Sequence, residues 1–113
     1  MCLLRRFDTY DRYFTGDDMN ESDLVRKIKD YLKTVDDCFY WKEHGGQYGT
    51  AGIPDIIVCY RGRFIAFECK VGKNKATALQ EMTIRKILKA GGCALVIRSV
   101  AEAKQVIEAF KEE

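Results

Sequence analysis

Asp55, Glu68 and Lys70 are three charged residues in a stretch that is otherwise largely apolar. Ile56-Ile57-Val58-Cys59-Tyr60 follows the first, and Phe64-Ile65-Ala66-Phe67 leads into Glu68-Cys69-Lys70. A carboxylate in such a run is costly to bury without compensation. Two carboxylates facing each other also repel. A divalent cation answers both problems, and hard oxygen ligands select Mg²⁺ or Mn²⁺. A lysine beside that ion could hold or polarise a water, or offset charge on a phosphate oxygen. The competing reading is a solvated Asp–Lys–Glu ion-pair cluster on an exposed sheet face.

The elements around these residues must bring them together. Two β-branched and aromatic runs joined by Arg61-Gly62 predict a β-hairpin. With a two-residue loop, Tyr60 faces Arg63 and Asp55 faces Glu68. Glu68 and Lys70 are two residues apart and share one side of the sheet. Arg-Gly departs from the Asn-Gly preferred in a type I′ turn, and a slip of one residue would separate the two acids.

Upstream, Asn20 to about Val35 reads as a helix capped by Asn20 with Asp23 at its third position. Leu24, Val25, Ile28 and Leu32 form its apolar stripe, and Glu21 shares that face. Cys38-Phe39-Tyr40-Trp41-Lys42 is strand-like. Gly45, Gly46, Gly49 and Gly52 follow without the Gly-Lys-Ser/Thr of a nucleotide loop. Their roles would be close approach to a ligand or a bend into the hairpin. His44 and Gln47 lie where they could touch a substrate backbone, or are plain loop residues.

After Lys70 comes a polar connection, Val71 to Lys75, and then a helix from about Thr77 to Ala90, ended by Gly91-Gly92. Its apolar side is read as Ala76, Leu79, Thr83, Ile87 and Ala90, widened by Met82, Ile84 and Leu88. Cys93 to Ile97 is continuously apolar, as in an internal strand covered on both faces. Ser99-Val100-Ala101-Glu102 opens a last helix. The expected fold is α/β: a mixed central sheet flanked by helices, in the order α-β-β-β-α-β-α. The strand–helix–strand unit at its end should pair parallel.

With 113 residues the chain suits one domain, assigned here to 20–113. Residues 1–19 form an arm or helix whose Leu3, Phe7, Tyr10 and Phe14 fall on one side. That side packs on its own core or serves self-association. Net charge is only +2, but residues 61–89 carry eight basic against two acidic side chains. Positive charge is therefore concentrated beside the carboxylates, as a phosphate-binding surface requires; a solvated helix face is the blander account. Lys73, Lys75, Arg85, Lys42 and His44 are the candidate nucleic-acid contacts. Five cysteines and a single histidine give no metal-ligand spacing. The odd cysteine count and the lack of a signal-peptide pattern lead to the expectation of a cytoplasmic protein. No apolar run nears the roughly 20 residues of a membrane span.

Pro54-Asp55, then Glu68-Cys69-Lys70, resembles the PD-(D/E)XK nuclease signature. Gly52-Ile53-Pro54-Asp55, the short hairpin, Phe67-Glu68-Cys69-Lys70 and the downstream Gln80 resemble the VRR-NUC (virus-type replication-repair nuclease) family, across about residues 20–108. The resemblance implies a Mg²⁺- or Mn²⁺-dependent phosphodiesterase of the stand-alone phage or bacterial type, in the cytoplasm of a bacterial or phage-infected cell. It implies Asp55 and Glu68 as metal ligands, the Cys69 backbone carbonyl as a further ligand, Lys70 as catalytic lysine, and Gln80 orienting a water or phosphate oxygen. Glu21 matches the family's helix carboxylate, with Glu43 as its rival. The substrate class would be branched DNA, a four-way junction cut by a homodimer. Alternatives are a flap or nicking repair nuclease and a non-catalytic nucleic-acid-binding module on the same fold. A phosphate-ligand protein built on the glycine-rich loop lacks a helix N-terminus directly after that loop.

Overall fold

The computed structural model describes residues 19–44 and 50–113. The arm assigned to 1–19 lies outside them except for Met19, as does Gln47. The described chain runs α1 (Glu21–Leu32), β1 (Cys38–Lys42), β2 (Ile56–Tyr60), β3 (Arg63–Cys69), α2 (Ala78–Lys89), β4 (Cys93–Ile97) and α3 (Val100–Lys111). This is the expected α-β-β-β-α-β-α order.

Local chemistry sets the helix starts. Asn20 accepts from the Asp23 backbone N–H while Asp23 accepts from that of Asn20, closing a capping box on α1. Thr77 and Gln80 make the same reciprocal pair on α2. Ser99 caps α3 by accepting from the Glu102 N–H. Each cap stabilises its helix by about 1 kcal/mol.

The four strands lie side by side in chain order. The first two pairings are antiparallel, and β3 with β4 is parallel. The hairpin keeps the short loop: Tyr60 faces Arg63 and Ile56 faces Phe67. Arg61 and Gly62 both take positive φ, 51° and 82°, as a type I′ loop requires. A non-glycine residue is strained there. Arg61 is held by its N–H donating to the Asp37 carbonyl at 3.0 Å and by its guanidinium reaching the Asp37 carboxylate at 3.8 Å. The distant aspartate supplies what an Asn-Gly turn would have supplied locally.

The two sheet faces are unequal. One buries Ile56, Val58, Tyr60, Ile65, Phe67, Cys69 and Ile97 under α1 and α3, with Leu24, Ile28, Leu32, Val106 and Ile107 closing the core. The other holds a small cluster, Ile57, Ala66 and Ala94, against Ile53, Ile84 and Ile87. Among the described residues α2 is the one helix on this second side, and no residue of α2 is fully buried. Leu79, Met82 and Leu88, read from sequence as part of its packing stripe, stay largely exposed. β4 is also not internal as expected. Among the described residues it is an edge strand, and its apolar run reflects helices on both faces rather than strands on both sides.

Candidate metal and phosphate site

The sequence register places Glu68 and Lys70 on the α2 side, at the end of the sheet away from the hairpin loop. Asp55 sits in the bend just before β2, one step beyond the last paired residues. Its Oδ2 accepts a hydrogen bond from the Cys69 N–H at 2.8 Å. That contact carries the ladder past its formal end and sets the Asp55 carboxylate beside Glu68. The preceding segment is fixed too. Pro54 is buried, and Gly52 adopts φ +86° with its α-carbon pressed on α2. A Cβ there would fall 2.8 Å from Leu79 Cγ and 2.9 Å from Thr83 Oγ1. Glycine at 52 therefore lets the chain pass under α2 and deliver Asp55.

Glu68 is 1% exposed and Lys70 8%. Lys70 Nζ lies 3.4 Å from Glu68 Oε2. The other oxygen, Oε1, is buried with no hydrogen-bond partner among the described residues. A buried orphan of this kind is costly and uncommon in native proteins. Burial, and next the Asp55 charge, push the Glu68 carboxyl up to about 7 despite the opposing pull of Lys70. The solvated ion-pair cluster is thus excluded as the state of Glu68 and Lys70, because both are buried.

The other expected residues fall at varying distance from this pair. Glu21 opens α1, where its Oε2 accepts from Asn74 Nδ2 at 3.4 Å. Burial raises the Cys69 thiol strongly, and the charges of Asp55, Glu68 and Glu21 add to it in that order. The contact with Asn74 ties Glu21 to the loop that follows Lys70. Its rival Glu43 donates its N–H to the Asp55 carbonyl at 2.8 Å, while its Oε1 accepts from the Trp41 indole at 3.0 Å. Lys42 Nζ reaches the Glu43 carbonyl at 3.0 Å. Gln80 gives its side-chain oxygen to the α2 cap. Lys73 and Lys75 are exposed on the loop after Lys70, Arg85 is exposed on α2, and His44 is exposed just after β1.

Two supports escaped the sequence reading. Arg98 clamps the lysine loop, donating to the Gly72 carbonyl at 3.1 Å and the Asn74 carbonyl at 2.8 Å. The Trp41–Glu43 bond ties an aromatic side chain to the strand step beside Asp55. Neither Arg98 nor Trp41 belongs to a motif. Only the alternation of β1, which puts positions 41 and 43 on one side, hinted at the second.

Among the described residues no three Asp, Glu, His or Cys side chains close around one point as a complete metal cage. Two carboxylates with one orphan oxygen suit Mg²⁺ or Mn²⁺ nonetheless, since such ions commonly take one or two protein carboxylates and complete their shell with waters and phosphate oxygens.

Comparison with known proteins matches this arrangement at the level of fold. A solved structure described as "VRR_NUC domain" superposes with a TM-score of 0.65, at 22% identity, over 80% of this chain and 96% of that one. The chain has the fold of a VRR_NUC domain. A second solved structure, "VRR_NUC domain protein", gives a TM-score of 0.59 at 20% identity, over 82% of this chain and 86% of its own. No protein-family model matches the sequence, and no curated protein does. The likeness to VRR_NUC domains is thus carried by the fold. No helix among the described residues is long and apolar enough to cross a membrane.

Proposed function

We propose that this chain is a Mg²⁺- or Mn²⁺-dependent endodeoxyribonuclease that hydrolyses phosphodiester bonds in branched DNA, as a homodimer on four-way junctions. The observation that carries the reading is the buried Glu68, with an unsatisfied oxygen, beside Asp55 and Lys70. A dead binding module has no physical need for such a costly trio.

Asp55 and Glu68 would hold the cation, joined by the Cys69 carbonyl and the Glu21 carboxylate. An ion held there would supply positive charge against the phosphate and would acidify an attacking water. Lys70, oriented by Glu68, donates hydrogen bonds to that water or to a phosphate oxygen as charge develops. The Cys69 thiol stays protonated, because burial and three carboxylates oppose its ionisation, so it is no nucleophile. Lys73 and Lys75 would meet backbone phosphates, giving recognition by shape and a steep salt dependence.

A junction needs two strands cut in matching geometry, which a two-fold dimer provides. The test is cleavage of junction, flap and linear DNA with Mn²⁺, by wild type and by Lys70→Met. Symmetric junction cutting, lost in chelator and reduced about 100-fold or more in Lys70→Met with DNA binding retained, is expected. Undiminished cutting by Lys70→Met would refute the role of Lys70. A strictly monomeric protein in sedimentation with junction bound would refute the dimer.

A further inference from the structure

The face that carries the carboxylates continues into an aromatic surface that the chemistry above does not use. Trp41 pairs with Ile57, and Ile57 with Ala66, so the indole stands on the same side as Glu68. One row further from the site, Phe39, Cys59 and Phe64 align across three strands. Phe39 is 67% exposed and Trp41 44%. Their rings lie 5.9 Å apart, tilted by 49°.

Trp41 is not a loose surface aromatic. Its indole N–H is spent on Glu43 at 3.0 Å, and the Glu43 backbone is bonded to Asp55. The ring is thereby held by its edge, in fixed relation to the carboxylates. Strand spacings put the Trp41 backbone roughly 8 Å from that of Asp55, within a nucleotide's reach. The cations Lys70, Lys73 and Lys75 lie at the carboxylate end of the sheet, and no lysine or arginine stands in the aromatic rows. Charge for a phosphate at one end and flat apolar rings at the other match a single nucleotide, phosphate first and base second.

We propose that Trp41, supported by Phe39, is a stacking platform for an unpaired base next to the scissile phosphate. The inference rests on the nuclease reading and adds to it a preference for branch points that offer an unpaired nucleotide at the cut. Stacking on an aromatic face is tolerant of base identity, so the platform would select strand state rather than sequence. In a continuous duplex the base is already stacked and is not available to the ring.

Trp41 is the chain's one tryptophan, so its fluorescence reads the platform directly. In chelator, where no strand is cut, a single-stranded thymidine oligonucleotide should quench it by half or more, and a blunt duplex of equal length should not. In cleavage assays with Mn²⁺, Trp41→Ala should raise KM about 10-fold or more on substrates with unpaired nucleotides, with kcat changed little. Trp41→Phe, which keeps a ring and loses the N–H, should recover most of that loss. Efficient cleavage by a protein whose tryptophan is silent to unpaired DNA would overturn the platform alone. Quenching without cleavage on any substrate would uphold the platform and sink the hydrolytic reading. A concentration-dependent blue shift without DNA, with dimers that dissociate in Trp41→Ala, would assign the patch to a second copy of the chain and overturn the proposal.

Discussion

The two faces of the sheet are built for different ends. Under α1 and α3, Phe67, Ile65 and Ile56 are wholly buried among aliphatic partners, and the largest fully buried side chains lie there. Under α2 the buried set is Ile57, Ala66 and Ala94, small and thinly covered, with Phe39, Trp41 and Phe64 left in solvent. On this weak side the chain places its buried ionisable pair, Glu68 and Lys70. The contrast teaches that the first face supplies stability, which the second can forgo. A site with an unsatisfied oxygen needs a rigid floor, and the floor is the back of the same strands.

Perturbing each face should expose that division. The largest effect is expected for Phe67→Ala, which opens a cavity in the main core and should cost about 3–5 kcal/mol. Chemical denaturation reads it, and a loss no greater than at Ile84, on the α2 side, would erase the distinction between faces.

The next effect is a pH dependence that belongs to the site face. The folded protein keeps a proton on Glu68 up to about pH 7, whereas an ordinary glutamate releases it near 4.5. Between those values the native state binds more protons than the unfolded chain, so metal-free stability falls as pH rises. The decline should reach on the order of 2–3 kcal/mol by pH 8. Mn²⁺ should restore it, and Glu68→Gln should lack it. Melting curves from pH 5 to 8 provide the check; a wild-type stability that climbs over this range would contradict the sign.

A smaller loss is expected for Gly52→Ala. The positive φ and the contacts with Leu79 and Thr83 should cost about 1–2 kcal/mol and displace Asp55, lowering cleavage more than stability. Least of all, Leu88→Ala on the exposed side of α2 should stay within about half a kcal/mol. A large loss there would mean that α2 is covered by something beyond the described residues.

Much of this was legible in the residues. The hairpin register followed from loop length and alternation, and the helix caps at Asn20 and Ser99 from Asn20-x-x-Asp23 and Ser99-x-x-Glu102. Both are local, so sequence spacing suffices. What was not legible depends on distant partners. Arg61 holds a left-handed turn only because Asp37 arrives from another segment. β4 looks internal because apolarity reports covered faces and not neighbouring strands. The exposure of Leu79 and Leu88 reflects how one helix spans only part of a four-stranded sheet. At the site, sequence named Asp55, Glu68 and Lys70, while the Arg98 clamp and the Trp41–Glu43 tie needed three dimensions. Gln80 was expected at the site, and its side-chain oxygen serves the helix cap.

The central claim is that Asp55 and Glu68 are placed together to hold a cation. Titration of the protein with Mn²⁺ at pH 8, followed by calorimetry, tests it without any DNA. Wild type should bind the ion with affinity that rises as pH passes through about 7, and Glu68→Gln, still folded, should bind at least about 10-fold more weakly. Equal affinity in the two proteins would contradict the account.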